Sequence, residues 1–368
     1  MALIKVKSNG VDDATNLGRR NLIINGAMPV AQRGTSKTLV TNTMNFCTDR
    51  WHLYFANFDN FAGTLTQDSD GPDGFANSLK ITTTTAESAI ASDEYAHLSQ
   101  LVEAQNLQQL AYGTSAAKQL TLSFYVKSSI TGTFAVGLYK QDNTAQIHNL
   151  TYTIDAVNTW ERKTLTFAAN TLSGGAIDDN NGIGFYVNWH IAAGSDYTGG
   201  GSTSGWSAYA QNKWADGLGT NAVMTTTNAT FFLTGVQLEV GDTATPFEHR
   251  PFGEELAQCQ RYCVDLTPTS GTTPYLPGSA AAANSTVAVA HVAFPVQMRA
   301  TPSLEFESAG NYRVYNGGTL TVTSIGINGM SPVGGGVNFS VSSGLSTAQA
   351  VGVFAANGTD RTLCVAEL

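Results

Sequence analysis

Leu120-Thr121-Leu122-Ser123-Phe124-Tyr125-Val126-Lys127-Ser128 is followed, after Ser129-Ile130-Thr131-Gly132, by Phe134, Val136 and Leu138. In both runs an apolar residue occupies every second position. That is the period of a strand with one dry face. The short Gly-containing connection predicts that the two runs pair as a hairpin. Similar signals extend outward at Arg50–Phe55, Ser78–Thr82, Ala96–Val102, Ile147–Ile154, Glu161–Phe167, Gly184–Trp189 and Phe231–Glu239. Nine strands with one dry face each require a second sheet to cover them. The expected fold is all-β, with a jelly-roll-like β-sandwich over residues 21–250.

Three further segments complete the expected organisation. Residues 1–20 are short, polar and aperiodic, and read as an N-terminal arm or attachment segment. Residues 251–264 read as a linker helix: Pro251 precedes it, Glu254 and Glu255 fall in its first turn and Arg261 in its last, complementing the macrodipole. Residues 265–368 contain no Lys after Leu266 and carry strand signals at Thr286–Phe294, Ser303–Phe306, Leu320–Ile327, Val337–Val341, Val351–Ala355 and Leu363–Ala366. They read as a smaller C-terminal β-domain.

Composition narrows the function classes. Hydrophobic residues make up 42% of 368, enough for a substantial core. Charged residues make up only 13%, against about 25% in an average soluble domain. The surface is therefore wetted by Thr, Ser, Asn and Gln. The net charge is −9, and the 19 Lys and Arg are scattered, so no basic stripe is present for nucleic acid. No apolar run is long enough to insert in a membrane, and the first residues contain no apolar signal core. The expected site of synthesis is a cytoplasm. Cys47, Cys259, Cys263 and Cys364 match neither a disulfide framework nor a zinc site, and read as buried thiols.

Catalytic motifs are missing. The chain has no G-x-S-x-G elbow, no H-E-x-x-H and no Walker loop; Gly113–Lys118 lacks the second Gly and the hydroxyl after Lys. None of the six His is paired at metal-ligand spacing. No cofactor is expected. Two acidic turns, with Asp68, Asp70 and Asp73 in one and Asp178 and Asp179 in the other, offer the oxygen ligands of a structural Ca²⁺. The same residues also form Asx-turns that need no metal. The remaining candidate is a long insertion, from about Ala193 to Thr227, that holds Tyr197, Trp206, Tyr209 and Trp214. Loops of this length usually carry function. These rings either form a platform for the apolar C–H faces of sugars or pack the loop onto its sandwich.

Several phrases carry a resemblance. They are Asn21-Leu22-Ile23-Ile24-Asn25-Gly26-Ala27-Met28 with Ala31-Gln32-Arg33-Gly34, Thr48-Asp49-Arg50-Trp51, Thr159-Trp160-Glu161-Arg162-Lys163-Thr164, and Thr234-Gly235-Val236-Gln237-Leu238-Glu239-Val240-Gly241. The last continues through Ala244-Thr245-Pro246-Phe247-Glu248 to Cys259-Gln260-Arg261-Tyr262, and Phe294–Pro302 follows. Together they make the chain similar to tail-fibre and related structural proteins of bacteriophages, particularly marine phages and cyanophages. The resemblance implies a sandwich like those of carbohydrate-binding modules, a virion location and a homotrimer. It supplies no catalytic residues. The function expected is a phage tail fibre that attaches to other tail or virion proteins through its arm and binds host cell-surface glycan. The alternatives are a capsid decoration or head-fibre protein and a polysaccharide-degrading enzyme.

Overall fold

A computed structural model of the chain describes residues 19–267, 276, 279–356 and 360–368. Of the expected arm, residues 1–18 lie outside the described residues. The chain divides into two compact units, one of residues 1–29 and 35–250 and one of residues 30–34 and 251–368.

The first unit contains β1 (Ser36–Thr38), β2 (Asn45–Phe46), β3 (His52–Ala56), β4 (Ala62–Asp68), β5 (Ser78–Thr85), β6 (Tyr95–Glu103), β7 (Leu120–Ser128), β8 (Gly132–Lys140), β9 (Gln146–Ile154), β10 (Glu161–Phe167), β11 (Ile183–Ala193), β12 (Ser207–Ala208) and β13 (Thr230–Val240), with one helical turn α1 (Ala222–Thr225) before β13. They form a six-stranded sheet, β1-β4-β5-β13-β7-β10, and a seven-stranded sheet, β12-β9-β8-β11-β6-β3-β2. The inner faces supply one core, which includes Leu122, Phe124, Phe231 and Leu233 from the first sheet and Leu98, Val136, Phe185 and Trp189 from the second. The protein is an all-β sandwich.

The expected hairpin is corrected. β7 pairs with β13 and β10, while β8 pairs with β9 and β11 in the opposite sheet. The dry faces of the two runs meet across the core rather than side by side. Alternation specifies which face is buried but not which strand is the neighbour. The turn after Ser128 is long enough for either route, since sheets pack ~10 Å apart and an extended residue spans ~3.3 Å.

β13 is the seam of the first unit, hydrogen-bonded to β5 on one side and β7 on the other. Its register slips between Thr234 and Gln237, where Gly235 adopts φ +59°. A bulge of this kind leaves backbone groups without ladder partners, and the buried Asn21 supplies them. Its Nδ2 donates to Val236 O at 2.9 Å, and its Oδ1 accepts from Leu238 N and Ile23 N, each at 3.0 Å. Leu22 N adds a bond to Leu238 O at 2.9 Å. Asn25 carries the clamp onward: its Nδ2 donates to Asp49 O at 2.9 Å, and its carbonyl accepts from the indole of the buried Trp51 at 3.0 Å. The buried Arg50, with φ +71°, donates from its guanidinium to Leu101 O of β6 at 2.5 Å.

The second unit holds α2 (Phe252–Gln260), β14 (Cys263–Asp265), β15 (Ala280–Ala282), β16 (Val287–Ala293), β17 (Ser303–Glu305), β18 (Tyr312–Tyr315), β19 (Thr319–Ser331), β20 (Gly334–Val341), β21 (Ala350–Ala355) and β22 (Leu363–Val365). β14-β22-β17 form a small sheet, and β15-β16-β20-β19-β18-β21 close a barrel. Val337, Phe339, Val322, Val353 and Tyr312 are in its core. The expected helix ends sooner than predicted: Cys263 is already the first residue of β14, where the backbone pairs with β22. All four cysteines are buried. No helix among the described residues is long and apolar enough to cross a membrane.

The clamp gives a stability prediction. Asn21→Ala leaves the Leu238 N–H and Val236 carbonyl without their buried side-chain partners and is expected to cost on the order of 3 kcal/mol. Urea denaturation of the purified protein, compared with the parent, measures it. A loss well under 1 kcal/mol would contradict the clamp.

Candidate functional site

The outward face of the seven-stranded sheet carries an unusual row of side chains. Cross-strand pairing places His97 of β6 opposite Tyr54 of β3 and His190 of β11, and Asn188 opposite Ser99. β8 contributes Ala135, Gly137 and Tyr139 to the same face, and Gly137 leaves the space that Asn149 of β9 occupies. Ser99 Oγ donates to Asn188 Oδ1 at 2.7 Å. These residues follow from strand alternation: Phe185, Val187 and Trp189 face the core, so Tyr186, Asn188 and His190 cannot.

The aromatic insertion folds over this face. Its backbone is held by Asn149, whose Nδ2 donates to Ser202 Oγ at 2.9 Å and Lys213 O at 2.7 Å. The buried Asp216 accepts from Gly199 N at 3.0 Å and Ser202 N at 2.6 Å. Trp214 presses edge-on against His97, His190 and Tyr139, with centroids 5.4, 5.9 and 5.3 Å away. Tyr197 lies against Tyr95 at 4.5 Å, and Tyr209 against Tyr139 at 4.9 Å.

Between loop and sheet the structure leaves an open cleft of about 210 Å³ lined by Tyr95, Tyr139, Gln141, Tyr186, Tyr197, Tyr209 and Trp214. The lining carries no formal charge. Burial pushes the Tyr95, Tyr186, Tyr197 and Tyr209 hydroxyls up, so they stay protonated and able to donate. Gln141 follows the buried Lys140 in sequence, and its Oε1 accepts from the Tyr186 hydroxyl at 3.4 Å. The Lys140 ammonium donates to the carbonyls of Asp142, Thr144, Gly174 and Ala176 and ties two neighbouring loops together.

Three of the four aromatic candidates therefore converge, and one does not. Trp206 is corrected to a packing role: it stacks on Phe185 at 6.0 Å, meets Tyr112 edge-on at 5.6 Å, and donates from Nε1 to Ala168 O at 2.8 Å. Tyr95, Tyr139, Gln141 and Tyr186 are missed by sequence reasoning. For the three tyrosines the signal is a ring on the polar side of an alternating strand, and only strand pairing shows that they meet; Gln141, in the turn after β8, carries no such signal.

The carboxylates of Asp68 and Asp70 are engaged by the chain itself. Asp68 Oδ2 accepts from Lys80 at 3.1 Å, and its Oδ1 accepts from Asp70 N at 2.9 Å, closing an Asx-turn. Asp70 pairs with Lys127 and accepts from Trp160 Nε1 at 3.0 Å; the Lys127 ammonium holds its carboxyl below the usual range. Asp178 N donates to Asp142 Oδ2 at 3.1 Å, while Asp178 and Asp179 are exposed. Asp73 lines a cleft on the six-stranded sheet, the sheet that also carries Asp68. Among the described residues no three His, Cys, Asp or Glu side chains are grouped to hold a metal ion.

No protein-family model matches the chain, and no curated protein matches it. Among solved structures it is similar to the enzymatically active domain of tailspike protein 4 of bacteriophage CBA120, with 14% identity and a TM-score of 0.34 over 60% of this chain and 21% of that one. It is also similar to a family 11 carbohydrate-binding module from Clostridium thermocellum, with 12% identity and a TM-score of 0.27 over 59% of this chain and 99% of that one. A tandem carbohydrate-binding domain of Paenibacillus barcinonensis Xyn10C shares 9% identity, with a TM-score of 0.30 over 95% of this chain and 98% of that one. At such low identity and overlap these likenesses carry no argument about function.

The buried histidines under Trp214 and Trp206 predict a pH dependence. Burial pushes His97 down to about 3 and His148 to about 4, and holds His190 well below its ordinary value. The native state keeps them neutral while the unfolded chain protonates them near pH 6.5. The unfolded state then binds more protons, so stability is full above about pH 6.5 and falls as pH drops toward 4. Denaturant midpoints at pH 7.5 and 4.5 measure this, and His97→Asn is expected to flatten the slope. A slope unchanged in that variant would remove His97 as a contributor.

Proposed function

We propose that this chain is a non-catalytic glycan-binding component of a phage virion, a trimeric tail fibre whose aromatic cleft receives a sugar of the host surface. The observation that carries the glycan reading is the cleft itself. Tyr209 and Trp214 from the loop face Tyr139 and Tyr186 from the sheet, and no charged side chain lines the space between them. Pyranose rings present apolar C–H faces to aromatic rings and hydroxyls to phenols and amides. A lining of five tyrosines, one tryptophan and one glutamine offers both kinds of contact. The volume suits one or two sugar residues rather than a buried chain. The cleft has no paired carboxylates for glycosidic cleavage, which supports binding over hydrolysis at this place. The virion and trimer parts rest on the sequence phrases around Asn21 and Thr234 and on the low surface charge.

Tyr209 is the ring to remove, because it is 37% exposed and the loop is held by other residues. Tyr209→Ala is expected to weaken binding of the preferred neutral oligosaccharide about tenfold, the scale of an aromatic contact of about 1.4 kcal/mol. Glycan-array screening followed by calorimetry provides the measurement. The parent is expected to bind without releasing new reducing ends from host envelope polysaccharide, and to sediment as three chains. Binding that is unaffected by Tyr209→Ala would rule out the cleft as the site.

A further inference from the structure

The opposite sheet carries a second cleft, of about 490 Å³, within the ~300–1,000 Å³ range of ligand pockets. It lies on the outward face of β13, β7 and β10 and is walled by the segment that follows β13. Its floor is Ser123 and Tyr125 of β7 and the bulge at Gly235; its sides are Phe75, Thr245, Pro246, Phe247 and His249. Phe75 is the hub of the rings, 5.3 Å from Tyr125, 5.0 Å from Phe247 and 5.2 Å from His249. A Cβ on Gly235 would lie 2.8 Å from Phe75 and 2.9 Å from Tyr125, so the glycine is what lets these rings close on the bulge.

The wall is built by the sequence phrase that the aromatic cleft leaves unused. Glu239 accepts from Thr245 N at 2.8 Å and from Thr245 Oγ1 at 2.7 Å. Gln237 Oε1 accepts from Glu248 N at 2.8 Å, and Glu248 in turn accepts from Arg19 N at 2.7 Å and Asn21 N at 2.9 Å. Gln237 and Glu239 thus hold residues 245–248 over the sheet, and Glu248 ties that segment to residues 19–21.

Charge then selects the occupant. Lys80, Lys127 and Arg162 stand on the outward face of β5, β7 and β10. Lys80 is paired with Asp68 and Lys127 with Asp70. Arg162, next to Tyr125 across the β10–β7 pair, has no carboxylate partner among the described residues. One of its N–H groups donates to Thr245 O at 3.2 Å, which holds the guanidinium at the cleft. Asp73 lines the cleft from the loop beside β5, two strands beyond β7 in the sheet order. A guanidinium without a carboxylate partner beside clustered aromatic rings is the arrangement that holds a carboxylate borne on a ring with apolar C–H faces.

We propose that this cleft is a second ligand site that takes an acidic sugar, a pyranose bearing a carboxylate, with the carboxylate on Arg162 and the ring on Phe75, Tyr125 and Phe247. The proposal does not depend on the aromatic cleft of the other sheet. Titration of the full chain by calorimetry with galacturonic acid, glucuronic acid and N-acetylneuraminic acid tests it, with galactose and glucose as neutral controls. At least one acidic sugar is expected to bind more tightly than its neutral counterpart. Arg162→Met is expected to weaken it by at least about tenfold, and Arg162→Lys, which keeps the charge and loses the fork, by less. Tyr209→Ala is expected to leave acidic-sugar binding intact, so failure here and failure of the neutral-glycan site are separable. The proposal is overturned if no acidic sugar binds at millimolar concentration or if Arg162→Met binds as the parent does. It is also overturned if Arg162→Met only lowers the sedimenting mass, which would make this face a contact between chains.

Discussion

The first unit depends on how β13 is completed. This strand joins β5 to β7, yet it bulges at Gly235, and a bulged central strand leaves polar backbone groups inside a dry sandwich. Such groups cost roughly 1–3 kcal/mol each when unpaired. Asn21 answers that cost with one amide, accepting and donating along the seam. The chain that carries Asn21 is thereby drawn against β13, and Asn25 extends the hold to Trp51. Two phrases more than two hundred residues apart in sequence are one structural device.

The bulge also sets the shape of the outer surface. Gly235 opens room for Phe75 and Tyr125, and the residues just past the bulge, Gln237 and Glu239, turn their polar ends onto residues 244–248. Stability and surface chemistry are therefore coupled on the six-stranded sheet. On the seven-stranded sheet the coupling is looser. There alternate residues of the strands present tyrosines and histidines outward, and the loop from Gly194 to Gly219 is a cover tied down by Asn149 and Asp216. A cover of that kind leaves a cleft at its edge without disturbing the core.

The low charge of the chain has a physical role in both clefts. On the six-stranded sheet Lys80 and Lys127 are neutralised by Asp68 and Asp70 and laid over Phe232 and Trp160. A weakly charged surface allows aromatic rings and amides to dominate recognition, and it makes one unpaired Arg162 conspicuous. The acidic turns look like cation ligands in sequence because carboxylates sit close along the chain. In space the Asp68 and Asp70 carboxylates face Lys80 and Lys127, and Asp68 also accepts from a backbone amide.

The sequence by itself determined the fold class and the position of almost every long strand. Alternation of apolar residues in Leu120–Val126, Ala96–Val102 and Phe185–Trp189 is a local consequence of burying one face, so it is legible without knowing the partners. It also marked the insertion that holds Tyr197, Tyr209 and Trp214. Strands such as β4 (Ala62–Asp68) and β18 (Tyr312–Tyr315) escaped because their patterns are short or interrupted by Gly and polar residues. Only the tertiary structure decided that β7 and β8 oppose rather than pair, that Trp206 packs against the core while Trp214 caps the sheet, and that Tyr95, Tyr139 and Tyr186 join the cleft. Each of these depends on which strand lies beside which. Pairing is set by the mutual fit of distant segments, and nothing in the period of a single strand records it.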